Sequence, residues 1–406
     1  MPLYFKALLI SIIVLLQMSC SLLDIKEQSE QLTDVATISG SLDIADNEAA
    51  IYAVLLSKTP TSVQIVSQVL LDEDNHYRFD LLPGNFIVGA YIDNNKNGKR
   101  DKNELYGLYS QSDKPYQIIT MGADEKRHLK SFNINRLLSL DQEKKTPTDL
   151  AKSITNIGKV ISLDDAIFLQ ENSELGLWQP LSFVEKIGGG LFMLQAYEED
   201  KIPVIFIHGI LGNPTEFEQI INQLDRDKYQ PWVLYYPSGL QLDLISDYLL
   251  SSLNQLNSQY VFSDINVIAH SMGGLMSRSF LMKHQAQAPD YSVSLYMTIN
   301  SPLYGMQSAT SGVESSPIII PSWRDVAVNS DYIKRVHKWQ IPSDTAYHLV
   351  FSFLPGEEGD GVVPLSSQLS LKLQEEATQI YGFQAQHAGV LKDEDFTKLF
   401  HQILAK

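Results

Sequence analysis

The sequence predicts a two-part chain: a doubly wound, mostly parallel α/β sheet over the carboxy-terminal half, preceded by a small all-β sandwich. Residues 203–207 (PVIFI) and 267–269 (VIA) are apolar runs of the kind buried on both faces of a parallel sheet, and each breaks into a Gly-containing turn. Between about 35 and 140, short runs such as 50–56 (AIYAVLL) and 84–92 (GNFIVGAYI) alternate with Gly, Pro, Asn and Asp turns, the pattern of a sandwich. A length of 406 residues with 44% hydrophobic content supplies two cores.

The most informative element is Ala269-His270-Ser271-Met272-Gly273-Gly274, where an apolar strand enters a small-residue turn with one serine at its apex. A strand-to-helix elbow of this kind exposes a serine Oγ, and the positions two before and two after it must be small so that strand and helix can pass closely. Here they are Ala269 and Gly273. Upstream, the 203–207 run ends in His208-Gly209-Ile210-Leu211-Gly212, placed where a loop donating an N–H to an oxyanion should sit. The expected donors are the N–H groups of Met272 and Ile210.

A nucleophilic serine needs a base, and the base an orienting carboxylate. Residues 349–354 (LVFSFL) read as a strand breaking into Pro355-Gly356-Glu357-Glu358-Gly359-Asp360-Gly361-Val362-Val363-Pro364. Asp360, between two glycines and before an apolar pair, is the candidate acid. Glu357 and Glu358 are the fallback, with the pattern of solvated loop charges. The last strand is expected at residues 379–383, followed by His387 and a helical tail from 393, which makes His387 the base. Among the nine histidines only His387 has both the chain order and the context; His270, beside the serine, reads as packing or support.

On these residues, together with Thr298-Ile299-Asn300-Ser301-Pro302-Leu303-Tyr304-Gly305, the region from about 160 to 406 resembles the α/β-hydrolase superfamily, in its lipase and esterase branch, and is similar to inositol-deacylase-like proteins. Residues 175–180 (LGLWQP) and 230–239 (QPWVLYYPSG) also resemble uncharacterised bacterial members. The resemblance implies a Ser271–His387–Asp360 acyl hydrolase that needs no cofactor for catalysis, with an acyl ester or lipid as substrate. Amide hydrolysis or acyl transfer by the same triad, and a binding lipoprotein with an inert fold, are the rival readings. A long insertion between Pro302 and His348 fits a cap over an apolar acyl chain or ordinary packing equally well.

The amino terminus reads as an address. Lys6 precedes a mostly apolar run from 7 to 16, short for a bilayer span but typical of a signal-peptide core, which ends in Gln17-Met18-Ser19-Cys20. Cys20 is the chain's one cysteine. Its place resembles a bacterial lipoprotein cleavage and lipidation site, although Gln17 stands where Leu is usual. Cleavage by the ordinary signal peptidase, leaving a soluble exported protein, is the alternative. Ser21 in place of Asp leans toward an outer-membrane lipoprotein held in the bacterial envelope by its anchor. The organisation expected is a leader over 1–19, a polar tether over 20–34, the β domain over 35–140, a linker and lead-in over 141–185, and the catalytic domain over 186–406.

Asp93-Asn94-Asn95-Lys96-Asn97-Gly98-Lys99-Arg100-Asp101-Lys102-Asn103-Glu104 has calcium-loop spacing. Oxygen ligands fall at Asp93, Asn95, Asn97, Asp101 and Glu104, with a backbone carbonyl available from Lys99. A structural calcium is expected there; a cation-bearing Asn/Gly hairpin is the plainer alternative. The formal charge of −17, spread without a long acidic block, argues against nucleic-acid binding, which needs basic surface.

Overall fold

The computed structural model describes residues 23–32, 35–44, 50–58, 63–71, 75–81, 83–94, 100–101, 104–123, 125–134 and 156–405. The leader, Cys20, Asn95, Asn97 and Lys99 lie outside the described residues.

Where a polar tether was expected over 20–34, residues 23–32 form a helix, α1, docked on the carboxy-terminal domain. One face carries the contacts. The Gln28 carboxamide oxygen accepts the Leu181 and Ser182 N–H groups at 3.1 and 3.2 Å, its nitrogen donates to Ser182 Oγ, and Leu32 is fully buried in the larger core. Ser29 Oγ donates to the Ile319 carbonyl and Gln241 Nε2 to the Leu32 carbonyl, so the helix is seated mainly by polar contacts that a polar composition does not reveal.

Eight strands follow among the described residues: β1 (Ala36–Ser41), β2 (Ala50–Lys58), β3 (Val63–Leu70), β4 (His76–Leu81), β5 (Gly84–Asp93), β6 (Tyr106–Leu108), β7 (Ile119–Met121) and β8 (Lys126–His128). They make a three-stranded sheet, β4-β1-β8, and a larger one, β3-β2-β5-β6, to which β7 adds along β5. Ile38, Phe79, Val88 and Ile92 fill the core between the two sheets. On the outer face of the larger sheet, Tyr52 and Tyr91 stack with ring centroids 5.4 Å apart. Burial on both faces is why β5 reads as an unbroken apolar run.

The second sheet has seven strands, β9 (Gly190–Met193), β10 (Ile202–Ile207), β11 (Tyr229–Tyr235), β12 (Asp264–His270), β13 (Ser292–Ile299), β14 (Ala346–Ser352) and β15 (Gln379–Phe383). Their order is β15-β14-β13-β12-β10-β11-β9, parallel except for β9, which runs antiparallel to β11. The expected lead-in packs into this domain. Residues 156–189 already belong to it, with α2 (Gln170–Trp178) and α3 (Pro180–Lys186) sealing Phe168, Phe183 and Val184 against the sheet. The apolar residues there lack a clean helical period, so their burial depends on strands far along the chain.

Helices α4 (Glu218–Asn222) and α12 (Glu394–Leu404) cover one face through Ile220, Phe396 and Phe400. On the other, α5 (Leu242–Tyr260) and α6 (Met272–Gln287) bury Leu249, Leu253, Leu275 and Phe280. Each such side chain contributes about 1.5–3 kcal/mol on leaving water. β3 lies against α5, which joins the sandwich to this second face.

The 302–348 insertion folds into α7 (Gln307–Ser315), α8 (Pro321–Val326) and α9 (Asp331–Lys338). The Tyr332 hydroxyl donates to the Leu275 carbonyl, pinning α9 to α6. Between β14 and β15 lie α10 (Leu365–Gln368) and α11 (Leu371–Glu376). Buried Arg278 of α6 clamps this side: it donates to the Val336 and Trp339 carbonyls and pairs with Glu376 of α11 at 2.7 Å.

Candidate active site

Ser271 stands between β12 and α6 with φ 53° and ψ −128°, a backbone region that glycine favours. Holding a serine there costs on the order of 1–3 kcal/mol. The neighbouring glycines make it possible. A Cβ at Gly273 would lie 2.6 Å from the His208 and Ile207 carbonyl oxygens, and one at Gly274 2.1 Å from Ser301 Oγ.

The loops after β14 and β15 bring the other two expected residues to the serine. His387 Nε2 is 2.9 Å from Ser271 Oγ, and His387 Nδ1 is 2.7 Å from Asp360 Oδ2. Asp360 is 1% exposed. Its Oδ1 accepts the Val362 and Val363 N–H groups at 2.9 and 2.7 Å, and Gln368 Nε2 donates to Oδ2 at 3.3 Å. Burial pushes the Asp360 carboxyl up, but the bonds from His387 and the two backbone N–H groups outweigh it and hold the group below its ordinary value. Glu357 and Glu358 are exposed, away from this arrangement.

Ile210 lies in the loop after β10 and Met272 is the first residue of α6, at the positive end of its dipole. The Ile210 loop is held from several sides. Gly209 N–H donates to Glu216 Oε1, Leu211 N–H to Ser238 Oγ, and Gly212 N–H to the Gly209 carbonyl. Gly209 presses on the nucleophile, since a Cβ there would sit 2.8 Å from Ser271 Cβ. His208 stacks on Tyr236 at 4.1 Å, accepts its N–H through Nε2, and so donates from Nδ1 to the Gly209 carbonyl. Burial pushes the His208 imidazole down to about 4, which keeps it neutral.

Two contributors were not singled out from the sequence. Asn300, with φ 50° after β13, donates from Nδ2 to the His387 carbonyl at 2.7 Å. Glu216, in the single turn Pro214–Phe217, pairs with His270 Nδ1 at 2.9 Å, while His270 Nε2 faces the His387 carbonyl at 3.3 Å. Asn300 lies within the 298–305 segment that carried the resemblance, but that pattern assigned it no role, and Glu216 lies in no distinctive local pattern.

In the 93–104 loop, Asp93 and Glu104 are buried, and Glu104 accepts the Asn94 and Asp101 N–H groups through separate oxygens, both at 2.8 Å. A carboxylate spanning the loop in this way fits a cation-binding turn and equally ties the hairpin by itself. Among the described residues, no group of three or more His, Cys, Asp or Glu side chains is arranged to hold a metal, and no helix is long and apolar enough to cross a membrane.

Residues 240–406 match a family model described as an alpha/beta hydrolase of unknown function (DUF915). No curated protein matches the chain. Among solved structures, it is similar to the product of the gene lin2722 from Listeria innocua, at 18% identity and a TM-score of 0.41 over 51% of this chain and 95% of that one. It is also similar to the lipase BlEst2 of Bacillus licheniformis in mature form, at 18% identity and a TM-score of 0.42 over 52% and 94% of the two chains. With its seven-stranded sheet and its serine elbow, and in keeping with the match over residues 240–406, the domain spanning residues 156–405 has the α/β-hydrolase fold.

Proposed function

We propose that this chain is a serine acyl hydrolase acting on carboxylic esters, and that lipid esters are its substrates. The observation that carries the reading is the continuous line of hydrogen bonds from Ser271 Oγ through the His387 ring to the buried Asp360 carboxylate. In the reaction, Ser271 Oγ attacks the acyl carbonyl as His387 Nε2 takes its proton. Asp360 keeps the Nδ1–H tautomer and offsets the imidazolium charge. The Met272 and Ile210 N–H groups receive the oxyanion. His387 then returns the proton to the leaving alcohol, and a water activated by the same ring releases the acid and frees Ser271.

We further propose that Cys20 is lipidated and holds the enzyme in the outer membrane of a bacterial envelope. Its support is the sequence, where the chain's one cysteine stands just beyond an apolar leader core, after Gln17-Met18-Ser19. Calcium in the 93–104 loop would stiffen the β domain without entering the chemistry.

The test is labelling of the purified protein with a fluorophosphonate probe, beside Ser271→Ala and His387→Ala. Labelling of the wild type that both variants lose supports the triad. A folded wild type that stays unlabelled favours an inert binding lipoprotein.

A further inference from the structure

His270 is 3% exposed, and both of its ring nitrogens face oxygen. Nδ1 lies 2.9 Å from Glu216 Oε1, and Nε2 lies 3.3 Å from the main-chain carbonyl of His387. A neutral imidazole has one donor and one acceptor nitrogen, and the carbonyl can only accept. Both contacts are satisfied when the pair carries a proton on each ring nitrogen, or when Glu216 itself is protonated. The Gly209 N–H distinguishes them. It donates to the same Oε1 at 3.3 Å, which favours the ionised form, because a carboxylate oxygen accepts a second hydrogen bond more strongly than the hydroxyl oxygen of an acid.

Resting on the acyl-hydrolase reading above, we propose that Glu216 and His270 form a charged positioning pair, a carboxylate beside an imidazolium, that locks the oxyanion loop and the base to each other. Glu216 holds the loop at Gly209, and His270 holds the main chain of His387. Asn300 Nδ2, at 2.7 Å from the same carbonyl, completes the hold from β13. The oxyanion donor and the base therefore share one support, although they come from opposite ends of the domain.

The charged and titratable groups facing His270 are Glu216, His208 at the end of β10, His387 and Asp360. Burial disfavours the His270 cation, but the adjacent Glu216 carboxylate, the His387 carbonyl and the more distant Asp360 outweigh it and raise the imidazole above its ordinary value. His208, kept neutral by burial, adds no charge of its own near neutral pH. The imidazolium, and with it the pair, is lost as pH rises through the raised value of His270.

The experiment has two arms on the full chain. Long-range proton–nitrogen NMR of the wild type reads both His270 ring nitrogens, assigned by difference with His270→Gln. Two protonated nitrogens at neutral pH are expected; one bare nitrogen overturns the proposal. The second arm follows the rate of fluorophosphonate labelling against pH for wild type and Glu216→Gln. The expected change is a basic limb displaced to lower pH in the variant, with labelling slowed by at least roughly tenfold where the wild type is fastest. A variant equal to wild type in rate and profile overturns the positioning role, whereas a wild type that never labels removes the acyl-hydrolase reading instead. If Glu216→Gln fails to fold, the NMR arm alone decides.

Discussion

Asp360 holds His387 twice: its carboxylate takes the ring Nδ1 at 2.7 Å, and its backbone carbonyl takes the His387 N–H at 3.0 Å. One residue thus bears on both the ring orientation and the main-chain position of the base, beside the His270 and Asn300 contacts to the His387 carbonyl. The Gly359 loop bends for this purpose, since a Cβ on Gly359 would lie 2.0 Å from the Val363 carbonyl.

Asp360→Asn keeps the backbone bond but loses the carboxylate that selects the Nδ1–H tautomer. Turnover should fall by about three to four orders of magnitude with the fold retained, as steady-state kinetics beside a melting curve will read. The same residue sets an acid dependence. Its folded value lies below the unfolded one, so its contribution to stability is present above the unfolded value, about 3.9, and is lost as pH falls through the lowered folded value. Wild-type stability should therefore drop more steeply on acidification than that of Asp360→Asn.

Gly209→Ala places a methyl 2.8 Å from Ser271 Cβ and forces the loop away from the nucleophile. Displacing one oxyanion donor costs about 100- to 1,000-fold in turnover. Denaturant titration should find global stability changed far less than activity; a variant with full activity would show that the loop does not serve the site.

Ser271→Gly removes the side chain and relaxes the strained backbone at φ 53° and ψ −128°. Part of the gain is cancelled by glycine's freedom in the unfolded chain, which leaves a net stabilisation of about 1 kcal/mol and no turnover. Thermal unfolding of wild type and variant checks the sign.

Arg278 is 1% exposed and joins α6 to α9 and α11 through two carbonyls and Glu376. Arg278→Met takes the side-chain donor from the Val336 carbonyl and one of two cationic partners from Glu376, which keeps Lys372, as does the Trp339 carbonyl; it should cost about 1–3 kcal/mol in denaturant titration. The double variant Arg278→Met with Glu376→Leu should recover part of that loss, because the buried carboxylate goes with its guanidinium while Lys372, partly exposed, keeps the Trp339 carbonyl.

Much of this was legible along the chain. The small-residue elbow at Ser271, the carboxylate between two glycines at Asp360, and the short strand 379–383 ahead of His387 are local patterns, because each turn or buried strand imposes its requirement on consecutive residues. A doubly wound, mostly parallel sheet was legible from the same runs and the family resemblance; its seven-stranded order came from the structure. What only the tertiary structure decided are contacts whose partners lie far apart in sequence. Glu216 beside His270, Asn300 on the His387 carbonyl, and the docking of helix 23–32 on α3 are of this kind. A polar side chain's sequence neighbours carry no record of which distant carbonyl or ring it will meet, and burial by a remote strand leaves no period of its own.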